Sequence, residues 1–378
     1  MNKKKKIVFL TGTRADFGKI KSLVAAAEKE EVFDISIFVT GMHTEPKYGG
    51  SGTKSEVHKC GFKNVYAFIN RKPYDSMDTV LANTVQGLGN YLCVEKADML
   101  VIHGDRVEAL AGAVVGALNN IIVAHIEGGE VSGTIDESIR HAVSKLAHLH
   151  FVANDEAKKR LIQMGEKETN IYVIGSPDID LMTSSELPSL LSVKQYYDIP
   201  FDNYAIFIYH PVTTSLHNLF DNIKEVMAAL VESEKNYIVI YPNNDTGSDI
   251  IIEEIERCRG NPHFRIFPSI RFESFLVLLK NSEFIIGNSS AGIREAPFYF
   301  IPTINIGNRQ NGRFSHDTII NVNELKIEIL NAIKQIKYIK PISSNHFGDG
   351  KSTEKFIKII KNDEIWDIKM QKQFVDLE

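Results

Sequence analysis

The stretch MLVIHGDRVEALAGAVVGALNNIIVAHIEGG (residues 99–129) decides the fold class of this chain. Two short apolar runs, at 99–105 and 121–125, flank a longer run of small and apolar residues at 108–120. Short continuous apolar runs are typical of strands that are buried on both faces, and such strands occur in parallel sheets covered by helices. The stretch therefore predicts one strand–helix–strand unit of a parallel sheet.

The alternation of strand and helix patterns extends in both directions from this unit. Before a break at 186–204, which holds two prolines and no strand pattern, further strands are predicted at 7–13, 34–41, 149–155 and 171–177. After the break, strands are predicted at 205–211, 237–243, 264–268, 284–290 and 303–307. Such alternation is typical of α/β folds made of βαβ units. We therefore predict two Rossmann-like βαβ domains that face each other across a cleft.

The predicted N-terminal domain covers residues 1–177 and the predicted C-terminal domain covers 178–357. A C-terminal helical segment at 358–378 is expected to pack back on the N-terminal domain. The late helix is predicted to begin with Ser352 or Thr353 as its cap. Because ligands of open α/β sheets lie at the carboxyl ends of the strands, the functional residues are expected there.

Composition excludes several classes of function. A formal net charge of −5 and a pI near 6.2 disfavour a general nucleic-acid binder, which would usually be basic. The apolar run that follows the lysines at 3–6 is too short for a signal peptide or a membrane span. The three cysteines, Cys60, Cys93 and Cys258, are widely spaced, so neither a disulfide framework nor a zinc site is indicated. We expect a cytoplasmic protein without a membrane anchor or a metal.

The first predicted strand ends in TGTRADFGKI, residues 11–20. This turn has neither the spacing of a Walker A loop nor a GxGxxG motif, so hydride transfer from a dinucleotide is disfavoured. A glycine-hinged turn at a helix N-terminus that also carries Arg14 and Lys19 is a plausible anion site. A solvated turn with surface charges would show the same pattern.

Ionisable residues also follow the next two strands of this domain. The second strand places His43 at the same edge, and the third places Asp105 and Arg106 there. Asp105 could equally cap the following helix. His103, inside the third strand, is interpreted as a core histidine.

The fourth strand leads into the most charged stretch, HIEGGEVSGTIDESIRHA, residues 125–142. His125 and Glu127 alternate and share one face of the extended chain. Asp136 and Arg140 are spaced by one helical turn and share a helix face, which is also the pattern of an ordinary surface ion pair. Charged groups at four neighbouring strand ends favour an acid–base cluster over chance.

In the C-terminal domain the strand ends carry groups suited to a nucleotide diphosphate. His210 and Asn243 follow two strands. In FIIGNSSAGIREAP (284–297), Ser289 and Ser290 are predicted to open a helix whose N–H groups suit a phosphate. Glu295, one turn further, would be repelled by phosphates and is better suited to ribose hydroxyls; the alternative is a surface carboxylate. Arg309 and Arg313 lie nearby in the sequence. Together with the N-terminal acid–base cluster, these residues indicate an enzyme that acts on nucleotide sugars.

The motifs TGTRADFGK, IHGDRVEAL, HIEGGEVSGTIDESIRHA, HPVTT, GNSSAGIREA and INIGNRQNGR occur in this order between residues 11 and 313. With them the chain closely resembles the hydrolysing UDP-N-acetylglucosamine 2-epimerases, which include bacterial sialic-acid enzymes. The resemblance implies a GT-B fold with the UDP-sugar in the cleft between the domains. It implies conversion of UDP-N-acetylglucosamine and water to UDP and N-acetylmannosamine by anti elimination to a 2-acetamidoglucal and hydration. It also implies a homodimer or homotetramer that needs no cofactor.

The resemblance also assigns roles to residues. The catalytic set it implies is Asp105, Glu127, Asp136, His125, Arg140 and His43. The set it implies for binding the UDP-sugar is Arg14, Lys19, Arg106, His210, Asn243, Ser289, Ser290, Glu295 and Arg313. Within the catalytic set Arg140 would orient Asp136, and either Asp105 or Glu127 would take the proton from C2 of the sugar.

Four other readings of the sequence remain. The same chemistry could act on UDP- or GDP-linked 2,4-diacetamido-2,4,6-trideoxy-glucose in a legionaminic acid pathway. A non-hydrolysing epimerase is disfavoured by Ala15-Asp16, because that branch typically has proline and glutamate after the GTR. A retaining glycosyltransferase or a non-catalytic nucleotide-sugar sensor would not need the clustered carboxylates.

Overall fold

The computed structural model describes residues 4–45, 56–72, 75–340 and 342–376. Contacts divide the chain into two compact units. Unit 1 contains 1–130, 136–184 and 346–378, and unit 2 contains 131–135 and 185–345. The predicted α/β class with two parallel-sheet domains is confirmed. Apart from the short segment 131–135, the chain passes from unit 1 to unit 2 after residue 184, whereas the predicted boundary was 177.

The sheet of unit 1 is parallel throughout, with strand order β3-β2-β1-β4-β5-β6-β7. Its strands are β1 (Lys5–Thr11), β2 (Phe33–Val39), β3 (Val65–Ala67), β4 (Met99–His103), β5 (Ile122–Ile126), β6 (Leu149–Val152) and β7 (Ile171–Val173). The central strands are almost wholly buried, as the apolar runs predicted. The unpredicted strand β3 has only three residues and is partly exposed at the sheet edge, so its sequence carries little pattern.

Helices cover both faces of this sheet. They are α1 (Arg14–Glu28), α2 (Glu56–Lys59), α3 (Met77–Glu95), α4 (Val107–Leu118), α5 (Ile135–Leu146), α6 (Asp155–Gln163) and α7 (Pro177–Met182). The small residues of α4 allow close packing: a Cβ on Gly112 would lie 2.6 Å from the Ile102 side chain. No helix in the described ranges is both long and apolar enough to cross a membrane.

Unit 2 is a six-stranded parallel sheet with strand order β10-β9-β8-β11-β12-β13. Its elements are α8 (Leu190–Tyr196), β8 (Ala205–Ile208), α9 (Leu219–Glu232), β9 (Tyr237–Ile240), α10 (Ser248–Glu256), β10 (Phe264–Phe267), α11 (Phe272–Lys280), β11 (Ile285–Gly287), α12 (Glu295–Phe298), β12 (Thr303–Ile306), β13 (Ile319–Val322) and α13 (Lys326–Gln335). Strand β13 was not predicted, because as a short edge strand it is only half-buried.

The C-terminal segment belongs to unit 1. Helix α14 (Ser352–Ile360) places Phe356 against Phe9 and Phe151 of the sheet. The predicted cap of this helix was wrong: the N–H groups of Ser352 and Thr353 donate to the carboxylate of Asp180, on α7. A carboxylate from another helix therefore supplies the acceptor that the local sequence was expected to supply.

Candidate active site

The strand ends that carry ionisable residues in unit 1 are neighbours in the sheet. Strands β2, β1, β4 and β5 lie side by side. The chain order reverses between β1 and β4, which is where ligands of such sheets bind. The charged groups therefore gather at the point that the topology makes available for a ligand.

Asp105 is held by a buried arginine. Arg140 is 1% exposed, and its guanidinium donates to the Asp105 carboxylate and to the carbonyl oxygen of Glu130, the second at 3.0 Å. Asp105 is not a helix cap, because Arg106 occupies the cap position of α4. The contact between α5 and the end of β4 was not evident from the sequence, since the helical spacing linked Arg140 only to Asp136.

Arg140 is a permanent cation in this position. Burial opposes its charge, but the carboxylates of Asp105, Glu130 and Asp136 outweigh burial and raise the pKa of Arg140. Asp136 thus acts on the same guanidinium as Asp105. Arg140 links the two carboxylates that the sequence assigned to different elements.

Glu127 lies directly after β5 in a left-handed backbone conformation, with φ at +66°. This conformation is uncommon for a residue other than glycine, and residues in sparsely populated backbone regions cluster at active sites and ligand-binding turns. The Glu127 N–H donates to the carbonyl oxygen of Phe151, which fixes the turn. Gly128 follows, and a Cβ there would lie 2.8 Å from Nδ1 of His125 and 2.9 Å from Oγ of Ser144. The turn therefore requires glycine at 128 for close packing against α5.

The Glu127 side chain is buried within a polar cluster. The Ser176 hydroxyl donates to one carboxylate oxygen. The other oxygen lies 3.3 Å from Nε2 of His103 and 3.9 Å from the Lys19 ammonium. Lys19 also lies 3.3 Å from the carboxylate of Asp178, which is fully buried. One ammonium therefore faces two buried carboxylates, and its positive charge favours the ionised form of each against the effect of burial.

This geometry revises the expected role of Lys19. The sequence suggested a phosphate contact, whereas the structure places its ammonium against Glu127 and Asp178. His103, interpreted as a core residue, belongs to the same cluster. Ser176 and Asp178 were not predicted as site residues, although they follow β7 and functional residues were expected at the carboxyl ends of the strands. Ser176 contacts Glu127, and Asp178 contacts Lys19 because α7 packs on α1, a long-range contact without a sequence signal.

The turn after β1 is organised by Asp16. Its carboxylate accepts hydrogen bonds from the N–H groups of Gly12 and Thr13, and the Thr13 hydroxyl in turn accepts from the Asp16 N–H. The backbone N–H groups of Gly12 and Thr13, which such a turn could offer to an anion, are therefore used within the turn itself. Arg14 is half-buried as the first residue of α1, and Arg106 lies 3.5 Å from the carboxylate of Glu108.

His43 and His125 are buried histidines. His125 donates from Nε2 to the carbonyl oxygen of Gly104 at 2.8 Å, and its Nδ1 lies 3.2 Å from the Ser144 hydroxyl. His43 Nε2 lies 3.1 Å from the Thr11 hydroxyl. Burial lowers the pKa of His125 to about 3 and that of His43 to about 4. Both rings are therefore neutral at pH 7, and His125 fixes the backbone beside Asp105.

These two pKa values predict a loss of stability in acid. In the unfolded chain a histidine takes up a proton near pH 6.5, whereas His43 and His125 stay neutral in the folded protein until about pH 4 and 3. The unfolded state therefore binds more protons below pH 6.5. From pH 7.5 to 5.5 we expect the two residues to lower the free energy of unfolding by about 3 kcal/mol.

The measurement is urea unfolding followed by the fluorescence of Trp366. This is the only tryptophan of the sequence, and it packs on Phe33 in unit 1. His125→Asn should reduce the pH dependence by about half of that amount. His141→Gln, at an exposed position of α5, should leave it unchanged. Equal pH dependence in His125→Asn and the wild type would contradict the prediction.

In unit 2 the predicted nucleotide residues also follow neighbouring strands. His210 comes after β8, and its Nδ1 accepts a hydrogen bond of 3.0 Å from the backbone N–H of Asn243, which comes after β9. Two residues predicted separately are thus in direct contact.

The serine turn differs from the predicted helix. Residues Ser290–Gly292 form a 3-10 turn, and α12 has only four residues, so Ser289 and Ser290 do not open the regular helix that was predicted here. The Ser289 hydroxyl accepts from the N–H of Ala291 at 3.3 Å. Glu295 is 2% exposed, which excludes a surface carboxylate. Arg313 donates to the Gln310 side chain at 3.2 Å.

The described residues hold no group of three or more histidine, cysteine or acidic side chains that could bind a metal.

Comparison with known proteins is consistent with this arrangement. The family model for UDP-N-acetylglucosamine 2-epimerase matches residues 25–361. A UDP-N-acetylglucosamine 2-epimerase of Neisseria meningitidis serogroup B is 47% identical over 377 residues and covers 99% of both chains. The UDP-N,N'-diacetylbacillosamine 2-epimerase (hydrolyzing) of Legionella pneumophila is 34% identical, over 94% of this chain and 96% of its own.

Solved structures support the fold. A crystal structure of a UDP-GlcNAc 2-epimerase from Neisseria meningitidis bound to UDP-GlcNAc aligns with a TM-score of 0.80 at 19% identity. The alignment covers 94% of this chain and all of the other. This likeness confirms the expected GT-B-like fold of two α/β domains. The family match, which spans most of the chain, leads to one conclusion: this chain belongs to the UDP-N-acetylglucosamine 2-epimerase family.

Proposed function

We propose that this protein is a hydrolysing 2-epimerase that converts UDP-N-acetylglucosamine and water to UDP and N-acetylmannosamine. The observation that carries the proposal is the environment of Glu127. Glu127 is a buried carboxylate with an ammonium 3.9 Å away and a hydroxyl donor, and both contacts favour the ionised form that a general base requires, against the effect of burial. Its left-handed backbone places this side chain at the carboxyl edge of the sheet.

In the first step Glu127 takes the proton from C2 of the sugar. The C2–H electron pair forms the C1–C2 double bond, and the C1–O bond to the diphosphate breaks with its electrons going to UDP. The product is a 2-acetamidoglucal. Cationic and hydrogen-bonding groups at the diphosphate lower the barrier, because negative charge develops on the departing oxygen.

In the second step the oxygen of water bonds to C1 and one water proton passes to a carboxylate, while a second carboxyl group, protonated at that stage, gives its proton to C2 from the opposite face. The proton held by Glu127 is released to solvent. Asp105 and Asp136, which both interact with Arg140, are the groups we assign to this step. His43 and His125 are positioning residues, because both rings are buried and neutral. The sum of the two steps is UDP-sugar plus water giving UDP and the 2-epimeric free sugar.

The UDP moiety is assigned mainly to unit 2. We propose that His210, Ser289 and Ser290 contact the diphosphate, and that the buried Glu295 accepts hydrogen bonds from the ribose. Asn243 would line the nucleotide pocket, and Arg14, Arg106 and Arg313 would supply positive charge. Lys19 is reassigned to the Glu127 cluster. No cofactor takes part in the proposed steps.

The hydrolysing branch is favoured by two observations. The relative from Legionella pneumophila at 34% identity carries the word hydrolyzing in its name. Asp16 folds back onto Gly12 and Thr13, in the turn where the other branch typically has glutamate. N-acetylmannosamine would then serve sialic acid biosynthesis. We place the protein in the cytoplasm as a homodimer or homotetramer, which light scattering after size exclusion would test.

A second candidate substrate is a nucleotide-linked 2,4-diacetamido-2,4,6-trideoxy-glucose. It is favoured by the same Legionella pneumophila relative, whose name gives diacetylbacillosamine. The acid–base groups would keep their assignments, and only contacts at C4 and C6 of the sugar would differ.

Proton NMR in deuterated water with UDP-N-acetylglucosamine tests the proposal. We expect UDP and N-acetylmannosamine that carries deuterium at C2. Formation of UDP-N-acetylmannosamine would place the enzyme in the non-hydrolysing branch. Absence of reaction, with turnover of the UDP- or GDP-linked diacetamido sugar, would replace the substrate and keep the chemistry.

A further inference from the structure

We propose that Asn288 is the positioning residue of the nucleotide half of this site. It fixes the ring of His210 and the turn that carries Ser289 and Ser290. The inference rests on the proposed nucleotide-binding role of those residues. Asn288 itself is 1% exposed and lies immediately after β11.

Asn288 binds the backbone of His210 through both ends of its carboxamide. The His210 N–H donates to Oδ1 of Asn288 at 2.6 Å, and Nδ2 of Asn288 donates to the His210 carbonyl oxygen at 2.9 Å. These two bonds resemble the N–H···O bonds between neighbouring strands, except that a side-chain carboxamide replaces the backbone of one strand. The backbone position of His210 is thereby set from the adjacent strand.

The place of this contact in the sheet is where a ligand is expected. Strands β8 and β11 are neighbours, although β9 and β10 lie between them in the sequence, so the chain order reverses there. Gly287 permits the approach, since it has φ at +130° and a Cβ would lie 1.9 Å from the carbonyl oxygen of Ile208. Asn288 therefore joins the two strand ends at the reversal point.

Asn288 also holds the loop after β12. Its carbonyl oxygen accepts from the Arg309 guanidinium at 3.2 Å and from the Gln310 carboxamide at 3.0 Å. Gln310 in turn accepts from Arg313. One buried residue thus connects the histidine, the serine turn and the arginine loop.

The fixed backbone of His210 also determines which ring nitrogen carries the proton. Nδ1 of His210 accepts from the Asn243 N–H, so the proton of the neutral ring is on Nε2. Nε2–H is then a hydrogen-bond donor suited to a diphosphate oxygen. If the backbone of His210 shifted, the bond at Nδ1 would weaken and the other tautomer would become populated.

The first measurement is imidazole nitrogen NMR of the protein labelled with ¹⁵N-histidine, without ligand. We expect a protonated Nε2 and an unprotonated Nδ1 for His210 in the wild type. In Asn288→Ala we expect a mixture of both tautomers. A protonated Nδ1 in the wild type, or an unchanged tautomer in a folded Asn288→Ala protein, would overturn the proposal.

The second measurement is UDP binding by calorimetry. Loss of hydrogen bonds that orient a group facing a charged ligand should weaken UDP binding about tenfold to a hundredfold in Asn288→Ala. The control is Asn305→Ala, a buried carboxamide of the same sheet that bonds Asn321 at 2.8 Å; it should change binding less than about threefold. Equal losses in both variants would contradict the positioning role.

The two readouts separate this inference from the proposed function. If wild-type protein does not bind UDP but the tautomer still depends on Asn288, the nucleotide assignment fails and the positioning role stands. If UDP binds equally to wild type and a folded Asn288→Ala protein, the positioning role fails and the proposed function stands.

Discussion

Replacement of Glu127 by glutamine is expected to lower kcat by about a hundredfold to ten-thousandfold, the range that a general base contributes. The amide cannot take the C2 proton, yet it keeps the shape of the side chain and an oxygen that can accept from Ser176. UDP affinity should stay within about threefold, because the nucleotide is assigned to residues of unit 2. The measurements are steady-state kinetics and UDP calorimetry.

The same variant should remain as stable as the wild type. The Lys19 ammonium faces the carboxylates of Glu127 and Asp178. When glutamine removes the charge at 127, Lys19 still forms an ion pair with Asp178 at 3.3 Å. We therefore expect the free energy of unfolding to change by less than about 1 kcal/mol.

Exchange at C2 shows whether Glu127 is the base. In Glu127→Gln we expect neither C2 deuteration of the substrate nor accumulation of the glucal. Accumulated glucal would mean that Glu127 returns the proton instead. Glu137→Gln, at a partly exposed carboxylate of α5, is the matched control and should keep wild-type turnover. A large loss of UDP binding in Glu127→Gln would move this residue into the nucleotide site.

The fold could be predicted because each buried strand shows its pattern within its own few residues of sequence. Buried parallel strands such as β4 and β5 are continuous apolar runs, and each can be read without knowing its neighbours. Edge strands such as β3 are short and partly exposed, so the same rule misses them. The rule that ligands lie at strand ends correctly predicted that His43, Asp105 and Glu127 follow strands within one group of four neighbouring strands, β2, β1, β4 and β5.

What could not be predicted depends on how helices pack on the sheet. Lys19 faces Asp178 because α7 packs on α1, and no periodicity encodes that contact. Likewise Arg140 reaches Asp105 across a span of 35 residues, whereas helical spacing indicates only neighbours on α5. Asn288 was overlooked because a carboxamide after a strand reads as an ordinary turn residue.

Replacement of Arg140 by methionine is expected to damage both stability and activity. Methionine fills similar space but leaves the Asp105 carboxylate and the Glu130 carbonyl oxygen without their donor. Breaking a buried charge pair costs about 3–5 kcal/mol, and Asp105 is 25% exposed and can recruit water, so we expect about 2–4 kcal/mol. Urea unfolding followed by Trp366 fluorescence reports this for unit 1. Turnover should fall at least about a hundredfold, because Asp105 and Asp136 lose their common partner.

Arg140→Lys separates charge from geometry. Lysine keeps the positive charge but not the planar pair of donors that reaches both partners, so it should recover part of the stability and little of the turnover. Arg160→Met is the control for loss of an arginine as such, since Arg160 of α6 lies in the same unit and pairs at 3.3 Å with Glu156, whose side chain is 58% exposed; its unfolding free energy should change by less than about 1 kcal/mol. If Arg140→Lys restored full turnover, positive charge alone would suffice, and the fixed orientation of Asp105 would not be needed for the reaction.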